Sequence, residues 1–124
     1  MCAGSFYDLL CALPGRCDSY SVCFKYEEED GKHSHWAYPD TCEYDSGTDD
    51  DGEEYEGVDI CFGDGNFSTV DELREMLYSL TEEYGDDMDL SICLDEDNDG
   101  DWHDLLNDDP HIDHRHRRVT YYVE

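Results

Sequence analysis

The sequence predicts an α+β domain: a mainly antiparallel sheet of about five strands, with one main amphipathic helix and short helices. Several short runs alternate apolar and polar residues, as half-buried strands do. One longer segment, residues 69–84, repeats its apolar residues at helical spacing. The chain has 124 residues, which is the size of one ordinary domain. We therefore treat residues 1–124 as a single acidic α+β domain.

The first predicted element is a short amphipathic helix. Ser5 is a candidate N-cap, and Asp8 follows it by three residues, which is the spacing of a capping box. Pro14 and Gly15 would end the helix. The apolar residues of this segment are Phe6, Leu9, Leu10 and Leu13.

The next two elements form a predicted hairpin. Apolar residues alternate with polar or small ones, which is the period of a half-buried strand. These residues are Tyr20, Val22, Phe24 and Tyr26. Asp30 and Gly31 then supply a strong signal for a tight hairpin turn. The return strand would cover residues 35–44, with Pro39 at an edge position or a bulge.

A strongly acidic segment, residues 45–57, comes next. It contains glycines and no apolar period, so we expect a flexible loop in solvent. Its acidic run comprises Asp49, Asp50, Asp51, Glu53, Glu54 and Glu56. After the loop, Val58, Ile60 and Phe62 predict a third strand, and residues 63–66 predict a turn.

The clearest element is a helix over residues 69–84. Ser68 or Thr69 is the expected N-cap, and Asp71 or Glu72 stands at capping-box spacing. One face carries Val70, Leu73, Met76, Leu77, Leu80 and Tyr84. The other face carries Glu72, Glu75, Glu82 and Glu83. Gly85 is a suitable stop.

The last third of the chain predicts two further strands around a second acidic loop. The first strand has apolar residues at Met88, Leu90, Ile92 and Leu94. Residues 95–101 form the acidic loop, and Trp102, Leu105 and Leu106 suggest a short helix after it. The final strand alternates Val119, Tyr121 and Val123 with other residues.

Charge is the strongest indication of function. The chain has 35 Asp and Glu against seven Lys and Arg, a formal net charge of -28. The 13% aromatic content favours a folded core despite this charge. Such acidity steers basic partners and disfavours nucleic acid and anionic membrane as direct ligands. We interpret the basic cluster of Arg115, Arg117 and Arg118 as neutralising acidic neighbours within the fold.

The seven cysteines are evidence on the cellular compartment, because disulfides form mainly in oxidising compartments. Their odd number leaves at least one unpaired. They are Cys2, Cys11, Cys17, Cys23, Cys42, Cys61 and Cys93. The first residues lack the basic start of a secretory signal, and no run approaches the ~20 apolar residues of a membrane helix. We expect a cytoplasmic protein with reduced thiols.

Two segments are candidates for metal binding, and neither pattern is complete. Residues 95–101 resemble the start of an EF-hand loop, but Leu106 stands where a bidentate carboxylate is needed. A histidine group with nearby aspartates has no helical or cysteine pair to complete a zinc site. That group is His111, His114 and His116 with Asp108, Asp109 and Asp113. We expect no metal and no cofactor.

Catalysis is also disfavoured. The chain has no G-x-S-x-G motif, no phosphate-binding glycine loop and no nucleotide fingerprint. Carboxylates are so frequent that no pair stands out as a general acid and base. The sequence therefore predicts a binding protein and no enzyme.

In size, charge and aromatic-rich α+β character, the chain resembles the DNA-mimic inhibitors that phages and plasmids make against CRISPR effectors or restriction enzymes. Duplex DNA carries one charge per ~1.7 Å, so 28 net charges match about 14 base pairs. The resemblance implies a phage-type protein in the host cytoplasm that occupies the basic groove of a bacterial defence nuclease. It implies no cofactor and no direct contact with nucleic acid or membrane.

Three carboxylate groups would form the partner-binding surface. The first is Asp49, Asp50, Asp51, Glu53, Glu54 and Glu56. The second is Glu72, Glu75, Glu82 and Glu83. The third is Asp95, Asp97, Asp99, Asp101, Asp104, Asp108 and Asp109. Tyr55, Trp36 and Trp102 are candidate aromatic anchors, since tight interfaces need buried aromatic groups.

Two alternatives come from other functional classes. A divalent-cation module of the calcium-binding type would use residues 95–101. An acidic adaptor would bind a basic protein without imitating DNA. Displacement by duplex DNA distinguishes the mimic from both, and a calcium-selective change in stability would identify the cation module.

Overall fold

The computed structural model describes residues 1–27, 34–37, 39–62, 69–93, 102–105 and 109–124. Over these residues the chain forms two α-helices, α1 (Ala3–Cys11) and α2 (Val70–Tyr84), and a short 3₁₀ helix at Gly15–Cys17. The strands are β1 (Ser21–Glu27), β2 (Ser34–Ala37), β3 (Pro39–Thr48), β4 (Glu54–Phe62), β5 (Asp89–Cys93), β6 (Trp102–His103), β7 (His111–Asp113) and β8 (Arg118–Val123).

The strands form two sheets with the same plan. Their orders are β2-β1-β8-β7 and β3-β4-β5-β6. In each sheet the two central strands are parallel and each outer strand is antiparallel to its neighbour. The α+β class is therefore confirmed, but the expectation of one mainly antiparallel sheet of about five strands is wrong. The alternation of residues along a strand records which face is buried, and it does not record the direction of the neighbouring strand.

The parallel pair β4 and β5 follows from the helix between them. Parallel neighbours need a long crossover, which is usually helical. Here α2 supplies that crossover, so β4, α2 and β5 form a βαβ unit. The order of these three elements was visible in the sequence, and it would have predicted the parallel pairing.

One hydrophobic core joins the helices to both sheets. Phe6 of α1 lies edge-on to Tyr121 of β8, with ring centroids 5.2 Å apart. Phe24 of β1 lies 6.1 Å from each of these rings. From the other sheet and from α2, the core receives Val58, Ile60, Leu90, Ile92, Val70, Leu73 and Leu77. Most of the predicted inward residues are thus confirmed as core, but Met76 and Leu80 are only partly buried and Tyr84 is exposed. Leu94 and the side chain of Phe62 lie outside the described residues.

The capping predictions had different outcomes for the two helices. In α2, the Thr69 side chain accepts a hydrogen bond from the Glu72 backbone N–H at 3.2 Å, as predicted. Gly85 ends α2 with a φ of 101°, which favours glycine. In α1, Ser5 lies inside the helix, because the chain already turns helical after Cys2. The Ala3 backbone N–H donates to the carbonyl of Met88, so tertiary contact replaces a side-chain cap.

Three further predictions change in the structure. The expected return strand over residues 35–44 is divided between β2 and β3, which belong to different sheets. The expected short helix that begins at Trp102 is wrong over residues 102–105, where β6 pairs with β5 and Leu105 bridges Val123. Strand pairing satisfies more backbone groups there than one isolated helical turn could. The Asp30-Gly31 turn, residues 63–66 and Leu106 lie outside the described residues.

Across the described part of the chain, neither helix has the length and apolar composition that a membrane crossing requires.

Candidate partner-binding surface

The acidic segment of residues 45–57 is a β-hairpin, so the expectation of a loop is wrong. Strands β3 and β4 pair without interruption from Thr41 and Cys61 to Thr48 and Glu54. We call residues 44–57 of this hairpin the hairpin arm. The segment lacks an apolar period because the arm extends past the core, and its strand character comes from the backbone ladder and the turn.

The turn of the hairpin arm is closed by Asp49. Its backbone N–H donates to the carbonyl of Glu53 at 2.9 Å, and its carbonyl accepts from Gly52 at 3.0 Å. Its Oδ1 accepts from the N–H groups of Asp51 and Glu53 at 3.0 and 2.9 Å. Gly52 has a φ of 82°. This is the three-residue hairpin loop with glycine in the left-handed region, and Asp51-Gly52 was its sequence signal.

The predicted acids of the hairpin arm are all exposed. They are Asp49, Asp50, Asp51, Glu53, Glu54 and Glu56. Asp49 is occupied by the turn, so its carboxylate is less available to a partner than the others. Glu54 and Glu56 are two residues apart on β4 and therefore project from the same face of the sheet.

A stacked tyrosine pair joins the hairpin arm to the end of α2. The rings of Tyr44 and Tyr84 lie 3.7 Å apart with an interplanar angle of 5°. The Tyr44 hydroxyl donates to Glu56 Oε2 at 3.0 Å. Tyr84 was predicted on the apolar face of the helix, and it does point to the sheet side, but it remains 40% exposed. These contacts fix the arm relative to the helix.

The four predicted glutamates of α2 are also exposed: Glu72, Glu75, Glu82 and Glu83. At 100° per residue they occupy one stripe about 100° wide. The stripe is about 16 Å long, since residues 72 and 83 are eleven positions apart and each rises ~1.5 Å. Thr69 Oγ1 donates to Glu72 Oε1 at 3.2 Å, so Glu72 also completes the helix cap. We call these residues the helix stripe.

A further acidic group, which the sequence analysis missed, lies on the outer face of the second sheet. The strand register places Glu43 beside Asp59, and Asp45 and Asp89 on either side of Gly57. Partial burial, the charge and hydrogen bond of Asp45, and the charge of Glu43 raise the pKa of Asp59 to about 6. The alternation of residues 43, 45, 57 and 59 could have shown a shared face, had the hairpin been recognised.

The third predicted group is described only in part. Asp104 and Asp109 are exposed. Asp95, Asp97, Asp99, Asp101 and Asp108 lie outside the described residues. Among the residues that are described, no group of three or more His, Cys, Asp or Glu is arranged to hold a metal ion.

The histidines near the C-terminus have other contacts. His114 Nδ1 lies 2.9 Å from the Tyr20 hydroxyl, and its Nε2 lies 3.2 Å from an Arg16 nitrogen. His116 Nδ1 lies 2.7 Å from Asp113 Oδ2, which lowers the pKa of that carboxyl. The two imidazoles thus engage separate partners.

One residue of the predicted basic cluster, Arg117, has described contacts with Ser19 and Tyr20. Arg117 donates to Ser19 Oγ at 2.6 Å and lies over the Tyr20 ring at 5.8 Å. Arg16 contacts His114. The expectation that Arg115, Arg117 and Arg118 neutralise acidic neighbours stays a prediction, whereas Arg74 does pair with acids. Arg74 bonds Asp71 at 2.8 Å and Asp18 at 3.2 Å.

Two cysteines of the second sheet are poor nucleophiles. Burial raises the pKa of the Cys42 thiol to about 12. Burial and the charge of Glu43 raise the pKa of the Cys61 thiol to about 11. Both therefore stay protonated near neutral pH, and a thiol is far less reactive than a thiolate. No described cysteine forms a disulfide.

Exposed tyrosines flank the carboxylates. Tyr55 on the hairpin arm is 49% exposed, and its role as an anchor stays a prediction. Tyr78 of α2 is 50% exposed and packs on Tyr7 of α1, with ring centroids 5.9 Å apart. Tyr78 was not predicted as part of the surface, because the sequence analysis assigned it neither to the apolar face of the helix nor to the helix stripe. The side chains of Trp36 and Trp102 fall outside the described part.

Comparison of the chain with protein-family models, with curated proteins and with solved structures finds no match in any of the three. The functional conclusion therefore depends on the chain's own residues.

Proposed function

We propose that this protein is a DNA mimic that inhibits a bacterial defence nuclease, a CRISPR effector or a restriction enzyme, by occupying its basic nucleic-acid-binding groove in the cytoplasm. The observation that supports this most is the placement of exposed carboxylates on regular secondary structure. The hairpin arm and the helix stripe both carry such arrays.

A DNA mimic needs carboxylates at fixed positions, because phosphates recur along a duplex at fixed spacing. The backbone of a helix or a paired strand is already ordered, so a charge on it loses less conformational entropy on binding than a charge on a flexible loop. The net charge of -28 supplies long-range steering toward a basic groove. Tight association also needs desolvated anchors, and Tyr55 and Tyr78 provide exposed aromatic area beside the carboxylates.

The test is competition. The probe is a labelled duplex bound to a purified defence nuclease, and the unlabelled protein is titrated against it at about 0.1 M salt. We expect the protein to displace the duplex, and we expect binding to weaken strongly toward about 1 M salt, because screening shortens the Debye length to ~3 Å. In a parallel gel-shift assay without nuclease, the protein should leave the duplex unshifted.

Two outcomes would reject the proposal. Binding of nuclease that leaves the labelled duplex in place would indicate an acidic adaptor. Failure to bind any member of a panel of CRISPR effectors and restriction enzymes, together with a large calcium-selective rise in thermal stability, would indicate the cation module. Magnesium is the matched control for that rise, because general screening would affect both ions alike.

A further inference from the structure

Strand β3 forms one edge of the second sheet. The hydrogen bonds at the turn fix which of its backbone groups face outward. Asp49 bonds across to Glu53, so Gly47 and Asp45, which alternate with it, also point their backbone groups at β4. The backbone N–H and C=O groups of Ser46 and Thr48 consequently point away from the sheet.

Over residues 41–48 this edge lacks most of the features that usually prevent strand addition; the exception is its acidic side chains, Glu43 and Asp45, which repel an acidic strand but attract a basic one. Natural edge strands are short, or carry lysine, proline or a bulge. With ten residues, β3 is the longest strand in the described part of the chain, and its irregularity is confined to Pro39 and Thr41. Residues 41–48 contain neither lysine nor proline. Within the described ranges, no backbone hydrogen bond outside the β3–β4 ladder reaches Ser46 or Thr48.

A groove follows the same part of the arm. It has a volume of about 580 Å³ and is lined by Tyr44, Ser46, Thr48, Glu54, Tyr55 and Glu56. Gly47 adds no side chain, and the Tyr55 ring lies across it. The outward edge therefore carries backbone donors and acceptors together with aromatic surface and carboxylates.

We propose that the β3 edge binds an extended, positively charged segment of a partner protein as an additional strand. Main-chain hydrogen bonds would supply affinity, and the carboxylates would select lysine or arginine side chains. Glu43 and Asp45 lie on one face of the edge strand, and Glu54 and Glu56 project from the opposite face of β4. Opposite charges on neighbouring strands stabilise their pairing.

Charge excludes a second copy of this chain as the occupant. Two β3 edges brought together would place Glu43 and Asp45 of one copy against the same carboxylates of the other. Like charges directly opposite each other destabilise strand pairing, and each copy carries a net charge of -28. This inference takes one thing from the proposed function, namely that the partner is basic.

The experiment uses the full chain and a fluorescent peptide of about ten residues, a typical strand length, that alternates lysine and threonine. The control peptide has the same sequence and charge, with an N-methyl group on every backbone amide so that neither edge can donate hydrogen bonds. Fluorescence anisotropy measures both affinities. We expect the N-methylated peptide to bind about tenfold more weakly or worse, because several main-chain hydrogen bonds are lost.

The matched protein variants are Ser46→Pro and Ser46→Ala. Proline removes the outward N–H and leaves the inward ladder to β4 intact, and edge strands tolerate it. Alanine removes the hydroxyl and keeps the N–H. We expect Ser46→Pro to weaken peptide binding about tenfold and Ser46→Ala to leave it within about twofold. Peptide binding should also slow hydrogen exchange at the Thr48 amide.

Equal affinity for the two peptides would overturn the proposal and would show that binding depends on charge alone. The peptide comparison uses the unaltered protein, so it remains valid even if Ser46→Pro disturbs the hairpin. A dimer in sedimentation that Ser46→Pro dissolves would overturn it in favour of a second copy. Displacement of duplex DNA from a nuclease tests the proposed function separately, since loss of that activity leaves the peptide comparison unchanged.

Discussion

The hairpin arm and the helix stripe hold similar charges by different means. Helix α2 buries Val70, Leu73 and Leu77 in the core, so the position of its glutamates is set by tertiary packing. The hairpin arm reaches past Val58, and its strand residues beyond that point are exposed or half-buried. The ladder, the Asp49 turn and the Tyr44–Tyr84 stack hold it instead. Tertiary packing therefore holds the helix stripe in place, and mainly local hydrogen bonds hold the hairpin arm.

The two regions also differ in how closely they crowd their carboxylates. On α2 the glutamates form a single stripe that faces solvent. On the hairpin strands, Asp59 faces Glu43 directly and has Asp45 as a diagonal neighbour. A sheet brings residues on adjacent strands to ~5 Å, closer than most pairs on a helix stripe. Repulsion among Asp59, Glu43 and Asp45 therefore destabilises the folded hairpin at its base.

The largest expected effect is a gain in stability when the repulsion at Asp59 is removed. The folded-state pKa of Asp59 is about 6, above the ordinary 3.8. Folding therefore takes up a proton between these values, and stability falls as pH rises through this window. Near pH 7 the full cost is present. We expect Asp59→Asn to raise the free energy of unfolding by about 1 to 2 kcal/mol there, after discounting for partial exposure.

Urea denaturation at several pH values measures this effect. The difference between Asp59→Asn and the parent chain should disappear below about pH 4, where the carboxyl is protonated in both states. Glu82→Gln on the exposed stripe is the matched control, and we expect it to change stability by less than about 0.5 kcal/mol. A stabilisation by Asp59→Asn that persists unchanged at acidic pH would contradict the electrostatic explanation.

A smaller effect is expected at the tip of the arm. Gly52 has a φ of 82°, and no atom lies within 4 Å of a Cβ added there, so an alanine would suffer from backbone strain alone. We expect Gly52→Ala to lower the free energy of unfolding by about 1 kcal/mol, or to loosen the arm without unfolding the core.

Gly15→Ala is the control for this change, because Gly15 also has open space around it but no positive φ. It should be neutral or slightly stabilising. Hydrogen exchange at the Asp51 and Glu53 amides reports the state of the turn, since both donate to Asp49. Unchanged exchange in Gly52→Ala would show that the turn does not depend on glycine.

The sequence predicted the core better than the connections. The periodicity of β1, α2, β5 and β8 identified their buried faces, because burial leaves a direct record in the residue pattern. The helix between β4 and β5 indicates their parallel pairing, but the number of sheets and the pairing of distant strands, such as β1 with β8, depend on contacts that no local pattern records.

The candidate surface was predicted unevenly for the same reason. The helix stripe followed from helical periodicity, and the structure shows its glutamates exposed. The sequence pattern predicts a loop for the hairpin arm, because the arm is held by Asp49, Gly52 and cross-strand pairing and has no apolar period. The outer-face group of Asp45 and Asp59 could not be recognised without that pairing.

The smallest expected difference is between the two arrays in partner binding. A flexible loop would rearrange to compensate for lost charges, and the helix stripe would then matter more. The hairpin arm is instead an ordered strand pair, so compensation is not expected. One variant converts Glu72, Glu75, Glu82 and Glu83 to Gln, and the other converts Asp50, Asp51, Glu53 and Glu54 to Asn or Gln. Both remove four negative charges, and neither touches Asp49, which closes the turn.

We expect each variant to weaken inhibition of a defence nuclease, and the two inhibition constants to agree within about threefold, since rim charges contribute mainly through steering. The helix should survive because Gln and Glu have similar helix propensity, and Gln also completes a capping box. Circular dichroism checks both folds. If the hairpin variant inhibits as well as the parent chain while the helix variant does not, the arm lies outside the interface. The carboxylates would then be matched to the partner on α2 alone, although the arm holds its own charges in an equally ordered array.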